Sequence, residues 1–238
     1  MTDLMYQRDS YVMNFAATVT HVYEGGQVAL DRSVFYPGGG GQPCDSGTLA
    51  ADEQHWQVAK VTKQGPNVLH WIEGDYKPVV GQAMFGTLDW ERRFQLMRTH
   101  TAMHILCGVV WRDYGVSVTG GNMQPLQGRL DFEFETMSAE MIQDIEQRIN
   151  IEAGSAREVI VNILPREEAF EIPGLIRTKI NLMPESITEI RTVEIVGLDL
   201  QADGGTHVAN TLEVREMHIV DYKSKGKSNK RIVVAIDD

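Results

Sequence analysis

The order of apolar and polar positions divides the chain into a first part that predicts strands and a second part in which helices alternate with strands. In FAATVTHVYEGGQVALDRSVFY, apolar and β-branched residues alternate with polar ones on both sides of Gly25-Gly26, which indicates a hairpin. Shorter runs of the same kind follow in HWQVAKV and NVLHWIEG, separated by Gly, Pro and Asn. Short strands with such turns are typical of a small β-barrel or sandwich.

The spacing of apolar residues changes from alternation to a helical repeat after residue 88. From Asp89 to about Tyr114 the chain has no proline, and its first glycine is Gly108. Apolar residues recur here at spacings of three and four, at Phe94, Met97, Leu106, Val109 and Val110. This spacing predicts a helix. We therefore expect two domains, a β-barrel or sandwich domain over residues 1–88 and a second domain over 89–238.

The second domain is predicted to have an α+β fold, with helices packed on an antiparallel sheet. A second helix is expected in SAEMIQDIEQRINIEAG, where Ser138 is the N-cap, and a short third helix begins at Pro165. Strands are expected in GRLDFEFE, REVIVNIL, EIRTVEIVGL, TLEVREMHIV and KRIVVAI. Helices set among antiparallel strands are the mark of this fold class.

Composition adds limits on the class of protein. With 42% hydrophobic and 23% charged residues, the chain is an ordinary globular protein, and no apolar run approaches the roughly 20 residues that cross a bilayer. The first residues do not resemble a secretory signal, and Cys44 and Cys107 cannot form a disulfide framework. We therefore expect a cytoplasmic protein.

The net charge of −11 argues against a general nucleic-acid coat, since affinity for phosphates needs clustered Lys and Arg. One basic run exists, in YKSKGKSNKRIVV, and it contains Lys223, Lys225, Lys227, Lys230 and Arg231. By itself such a run indicates a solvated hairpin loop, and its alternative role is contact with RNA phosphates.

Two separated segments carry residues suited to a metal ion. In RTHTAMHIL, His100 and His104 are four residues apart and therefore share one face of the predicted helix, although Thr101 stands where a metalloprotease motif has Glu. In LQADGGTHVANT, two glycines separate Asp203 from His207 by a turn. Each segment alone also fits a structural role, as core histidines or as a capped turn. Together they supply three imidazoles and one carboxylate, a ligand set that zinc accepts.

These two segments, together with LDRSVFYPGGGGQPCDSGTL, resemble the motifs of the alanyl-tRNA synthetase editing domain and its free-standing relatives, the AlaX-type alanyl-tRNA editing proteins. The resemblance covers nearly the whole chain, in the family's order. The chain is similar to the medium-length class, which implies a β-barrel domain over residues 1–88 followed by a zinc-containing editing domain over 89–238. It implies zinc at His100, His104 and His207. Where the family has Cys, this chain has Asp203, which we include as the fourth expected ligand. Cys107 is an alternative to it, although a buried apolar role suits that thiol better.

The resemblance implies hydrolysis of the ester that joins a wrong amino acid, serine and also glycine, to tRNA(Ala). A pocket that selects small side chains does not reject serine strongly, whereas a second site that requires the hydroxyl can spare alanine. Thr119, and after it Asn122, are the residues expected to contact substrate in SVTGGNM. Gly40, Gly41 and Gln42 of the glycine run are expected at the mouth of the site, where backbone can approach a phosphate or sugar closely.

No Ser-His-Asp or Cys-His pairing is evident in the sequence, so attack by water is expected. Zinc can activate that water or only position the substrate, and the sequence does not choose between these roles. Two other functions stay open at this point. One is a zinc-stabilised tRNA-binding module without catalysis, and the other is a general zinc hydrolase of small esters or amides. The sequence does not indicate the oligomeric state.

Overall fold

A computed structural model describes residues 1–74, 77–175, 187–226 and 228–238. The chain forms two compact units, Met1–Phe94 and Gln95–Asp238. The first unit ends a few residues after the boundary predicted at 88/89, inside the helix that begins at Trp90. The functional division into a barrel domain and a second domain at that boundary stays a prediction.

The first unit contains a closed antiparallel barrel, which is one of the two arrangements that the strand pattern predicted and the one that the family resemblance implied. Its strands are β2 Asn14–Val22, β3 Gln27–Leu30, β5 Gly47–Ala51, β6 Gln54–Gln64, β7 Asn67–Glu73 and β8 Ala83–Leu88. They pair in the order β2-β3-β7-β6-β5-β8, while the short strands β1 Asp3–Leu4 and β4 Arg32–Ser33 form a separate parallel pair. Alternate residues of each strand point inward, which buries Phe15, Leu30, Leu49, Trp56 and Val61 in the barrel core.

One histidine inside this barrel is held in a single neutral form. The ring of His70 is fully buried; its Nδ1 lies 3.2 Å from the carbonyl oxygen of Val28, so Nδ1 donates that bond. The other nitrogen, Nε2, lies 2.8 Å from Ser33 Oγ and accepts from it. Burial lowers the pKa of His70 to about 4.

The barrel is therefore expected to lose stability as the pH falls from about 6.5 to about 4. The unfolded chain binds the proton first, because its histidine pKa is about 6.5, and full protonation costs roughly 3 kcal/mol of unfolding free energy. Urea unfolding followed by tryptophan fluorescence should show that His70→Gln is less stable at pH 7 and loses less on acidification. The exposed His55→Gln is the control. Equal pH slopes in His70→Gln and wild type would contradict this account.

The second unit is the predicted α+β arrangement. Its elements are α1 Trp90–Tyr114, which begins in the first unit, β9 Val118–Gln124, β10 Gln127–Phe132, α2 Ala139–Ala153, β11 Val159–Pro165, α3 Arg166–Phe170, β12 Glu189–Ile195, β13 Asp199–Ala202, β14 Met217–Gly226 and β15 Asn229–Ile236. Four strands pair in the order β14-β15-β10-β9 and three in the order β11-β12-β13, all antiparallel. The predicted N-cap is confirmed, since Ser138 Oγ accepts from the Met141 amide.

Helix α1 is the central element of this unit. All residues from 96 to 110 are buried, including several polar ones. Met103 faces the strands β9 and β10, where a Cβ placed on Gly128 would lie only 2.6 Å from the Met103 sulfur. A side chain at this glycine would force the Met103 side chain to move. The described part of the chain contains no helix both long and apolar enough to span a membrane.

One predicted strand is wrong in its first half. TLEVREMHIV was expected to be extended, but Thr211–Val214 forms a 3-10 helix and β14 begins only at Met217. Asn210 and Glu213 form a reciprocal capping box. Asn210 Oδ1 accepts from the Leu212 amide inside the turn, and Glu213 Oε1 accepts from the Asn210 amide at its start. The buried guanidinium of Arg98 donates to the carbonyls of Glu213 and Val214 and fixes the end of this turn.

Candidate metal centre

Helix α1 presents one stripe of residues that includes both histidines of the first motif. His100, His104 and Gly108 follow each other at intervals of four and therefore share a helix face. At Gly108 the helix lies against the turn before β13: a Cβ there would lie 2.9 Å from Leu198 Cγ and 3.0 Å from Asp199 Cβ. The missing side chain of Gly108 thus lets this stripe approach the segment that contains Asp199.

The second motif follows β13 in a tight turn. Asp203 Oδ2 accepts from the Gly205 amide at 2.7 Å, and this bond folds the turn back on itself. The backbone of Asp203 is also held: its amide donates to the Arg191 carbonyl, and its carbonyl accepts from Arg191 Nη1 at 2.9 Å. As a result, the carboxylate of Asp203 and the ring of His207 are presented on the same side of the turn.

The four predicted ligands meet at one point. The ring centre of His207 lies 4.2 Å from that of His100 and 4.7 Å from that of His104. Asp203 Oδ2 is 3.0 Å from His207 Nε2, and its Oδ1 is 3.6 Å from His100 Nε2. All three imidazoles are buried, and one donor atom from each of the four residues lies within 4.8 Å of the others.

Two residues that sequence reasoning did not identify hold the outer nitrogens of these rings. His104 Nδ1 lies 3.0 Å from Oδ2 of the buried Asp199, and Gln201 Nε2 donates to the same oxygen at 2.6 Å. Thr101 Oγ1 is 3.2 Å from His207 Nδ1 and accepts from the Val208 amide. The only signals in the sequence were the glycine four residues after His104 and the hydroxyl of Thr101 between the two histidines.

Two of the three imidazoles and the carboxylate are held in the forms that bind a cation. Burial lowers the pKa of His100 to about 4, and burial with repulsion from His100 holds the pKa of His207 well below its usual value. Burial also acts to lower the pKa of His104, but the hydrogen bond and charge of Asp199 outweigh it and raise this pKa. Burial would raise the pKa of Asp203, yet the imidazoles, His100 foremost, and the bond from His207 keep it well below the ordinary range.

Neutral imidazoles and an ionised carboxylate are the forms that bind metals. Three nitrogens and one oxygen, converging from two segments in a buried position, match the donor set and number of a tetrahedral zinc site. A second group in the described residues, Glu216, His218 and Asp237, also brings three donor atoms together. It is partly exposed and offers a single imidazole, so it resembles a surface ion pair more than a metal site.

The structure places the two predicted substrate residues on β9. Thr119 lies at a β-bulge, because Gly120 pairs with Asp131 and Val118 pairs with Phe132. Its hydroxyl donates to the Asp131 carbonyl at 3.1 Å, and the side chain is exposed. Asn122 is exposed and lines a shallow depression of about 200 Å³ together with Arg129. Their contact with substrate stays a prediction.

The glycine run lies in the first unit and forms a two-residue turn. Gly39 and Gln42 exchange backbone hydrogen bonds of 3.1 and 2.9 Å, and the φ angles of Gly40 and Gly41 between them are 56° and 92°. Two positive φ angles explain why glycine stands at both positions. Gly39 and Gly40 are exposed, Gly41 is partly buried and Gln42 is buried, so the accessible backbone of this segment is that of Gly39, Gly40 and part of Gly41.

The basic run forms the hairpin between β14 and β15, but its cations differ in availability. Arg231 makes two bonds to Asp131, of 2.7 and 2.8 Å, and Lys223 pairs with Asp221 at 2.9 Å on the surface. Lys230 is buried and donates to the Gly226 carbonyl. Lys225 is exposed, and Lys227 lies outside the described residues. The exposed lysines, Lys223 and Lys225, are therefore best placed to meet phosphates.

Comparison with known proteins agrees with the two units. A family model described as tRNA synthetases class II (A) matches residues 7–92, and the model for the threonyl and alanyl tRNA synthetase second additional domain matches residues 190–233. The second match includes Asp203 and His207.

Whole proteins resemble the chain over its full length. The alanyl-tRNA editing protein AlaX-M of Saccharolobus solfataricus is 37% identical, over 99% of both chains. The AlaX-M protein of Methanosarcina barkeri is 35% identical, over 100% of both. The alanine–tRNA ligase of Pyrococcus furiosus is 35% identical over 98% of this chain, which spans 26% of that ligase.

Proposed function

Because the chain belongs to the AlaX-M family of alanyl-tRNA editing proteins, we propose that it is an aminoacyl-tRNA hydrolase that removes chiefly serine, and secondarily glycine, from mischarged tRNA(Ala). The observation that carries this proposal is the buried convergence of three imidazoles and a carboxylate on the two motif segments. A chain with relatives of this name over its full length, and with a centre of this composition, is suited to metal-assisted hydrolysis of an ester.

Zinc is the proposed cofactor, with His100, His104, His207 and Asp203 as its ligands. When bound, it would supply a positive charge that polarises the ester carbonyl, positions the substrate or acidifies a water. Since Asp199 occupies Nδ1 of His104, Nε2 is the nitrogen of this ring that remains for the metal. The walls of the site exclude bulk water, because the three rings are buried, and this strengthens every electrostatic contact within it.

Selection of serine over alanine is assigned to Thr119. Its hydroxyl proton is directed at the Asp131 carbonyl, so its oxygen keeps lone pairs that can accept from a serine hydroxyl. Alanine offers this oxygen no hydroxyl, so it would lack the hydrogen bond that serine makes, a difference of about 0.5–1.5 kcal/mol. Asn122 is proposed to contact the aminoacyl end, and Gly40 and Gly41 to offer backbone to the RNA. The buried Gln42 would contact RNA only after a local rearrangement.

An acidic protein needs a few well-placed cations to bind tRNA, and the β14-β15 hairpin is proposed to supply them. Lys223→Gln with Lys225→Gln is expected to weaken tRNA binding several-fold and to reduce the slope of log K against log salt by up to about two. Deacylation at saturating tRNA should change little, because these lysines are not part of the metal cluster.

The matched control neutralises two exposed lysines of the barrel, Lys60→Gln with Lys63→Gln. Binding and deacylation are measured for each protein across a range of salt concentrations. An unchanged salt slope in the hairpin variant would mean that the hairpin is a solvated loop.

The function is tested by single-turnover deacylation of Ser-tRNA(Ala), Gly-tRNA(Ala) and Ala-tRNA(Ala) with the zinc-loaded protein and after chelation of zinc. The expected result is rapid release of serine, slower release of glycine, which also lacks the hydroxyl, slow release of alanine, and loss of all activity after chelation with the fold retained. Global unfolding on chelation would instead favour a purely structural zinc site. Hydrolysis of simple amino-acid esters without any preference for tRNA would favour a general zinc hydrolase.

A further inference from the structure

We propose that Asp199 is a positioning residue of the metal centre, which holds His104 in the one tautomer and orientation that presents Nε2 to the ion. This inference rests on the proposed zinc site and names the residue that organises it. Asp199 belongs to neither sequence motif, and it lies 95 residues from His104 along the chain.

The contacts of Asp199 are those of an orienting group and leave its carboxylate little freedom. Its side chain has no solvent exposure, and its Oδ2 lies 3.0 Å from His104 Nδ1. A carboxylate only accepts, so the imidazole must carry its proton on Nδ1. Gln201 Nε2 donates to the same oxygen at 2.6 Å and fixes the carboxylate from the other side. His104 is therefore held at its outer nitrogen before any metal arrives.

The absence of a side chain at Gly108 lets helix α1 pack closely against the segment that contains Asp199. Asp199 is the first residue of β13, directly after the turn that packs against Gly108. Gly108 follows His104 by one helical turn, so the close approach at the glycine sets the distance between the carboxylate and the ring. A methyl group at position 108 would meet the Cβ of Asp199 at 3.0 Å and would shift this partner.

Loss of such an outer partner typically lowers metal affinity by about 10- to 100-fold, because the ligand then has to be ordered by the metal itself and is less basic. Asp203 cannot replace it, since that carboxylate faces His207 and His100. The effect should therefore appear in the metal affinity and in the ligand geometry, and not only in the reaction rate.

The experiment measures zinc affinity of the full chain by competition with a chromophoric chelator, for wild type, Asp199→Asn and Asp113→Asn. The control, Asp113, is a partly buried aspartate on the same helix that pairs with Arg112 and Arg148. Asp199→Asn is nearly isosteric, and it should bind zinc about 10- to 100-fold more weakly and alter the visible spectrum of the cobalt-substituted protein. The control should match wild type in both measurements.

A measurement on the wild-type protein tests the inference even if Asp199→Asn does not fold. In zinc-loaded protein with ¹⁵N-labelled histidine, His104 should carry its proton on Nδ1 in a strong hydrogen bond. A proton on Nε2, or wild-type affinity and cobalt spectrum in Asp199→Asn, would overturn the inference while zinc binding and deacylation still stand. If wild type binds no zinc, the inference and the proposed metal centre fail together.

Discussion

Replacing His207 by alanine is expected to lower the zinc content of the purified protein from about one ion per chain to nearly none. His207 is the ligand that joins the two segments, since its ring stacks on His100 at 4.2 Å and its Nε2 meets Asp203 at 3.0 Å. The variant would keep His100, His104 and Asp203, but Asp203 would lose the ring that holds its Oδ2 towards the site, so three weakly ordered ligands would remain. Deacylation of Ser-tRNA(Ala) should fall by more than about 100-fold, since this change removes a ligand and not only an outer partner.

Metal analysis and thermal unfolding check this result together. The control is His218→Ala, which removes a histidine of the second unit that is not part of the cluster. The fold of His207→Ala should persist with reduced stability, because the alanine leaves a cavity among buried groups. Full zinc occupancy in the double variant His100→Ala with His207→Ala would show that the ion is bound elsewhere.

The second large effect concerns the unusual fourth ligand. Asp203→Cys is expected to retain or tighten zinc binding, because thiolate is a good zinc ligand and its position is the one that the family occupies with Cys. Asp203→Ala should weaken zinc affinity by at least about tenfold, since it removes the only carboxylate within reach of both His100 and His207 in the described cluster.

Asp203 also shapes the turn, so a control has to separate its two roles. Asp203→Asn keeps an oxygen that can accept from the Gly205 amide but loses the charge. Zinc affinity in the asparagine variant should lie between those of the alanine variant and wild type. If the alanine variant binds zinc as tightly as wild type, Asp203 is an outer partner that orients His207.

Local patterns in the sequence were enough to predict both halves of the candidate metal centre. The spacing of His100 and His104 follows from the helical repeat, and the turn of Asp203 follows from the two glycines after it. Each is a property of a few neighbouring residues. The strands of the first unit, the long helix and the α+β class were predicted for the same reason. Alternation and the spacing of three to four residues both follow from which side chains are buried, and both are visible among neighbouring residues.

The alternation of apolar residues also indicates which cation of the basic run is buried, and the prediction did not use it. Lys230 has the same parity as Ile232, Val234 and Ile236, which are all buried on the inner face of β15. Its burial was therefore readable from the sequence, whereas the pairing of Arg231 with Asp131 was not, because those residues lie 100 positions apart. In Thr211–Val214, by contrast, alternation misled, because the capping box of Asn210 and Glu213 gave the backbone a better arrangement than a strand.

What the sequence by itself determined is the helices, many of the strands and the two pairs of candidate ligands, since these depend on residues near one another in the chain. Only the tertiary structure decided that the pairs meet, and that Asp199 and Thr101 hold the rings of His104 and His207. These contacts depend on how closely α1 packs against the turn before β13, which Gly108 permits. The periodic pattern of neighbouring residues does not predict this distance, because it results from the packing of side chains that are far apart in the sequence.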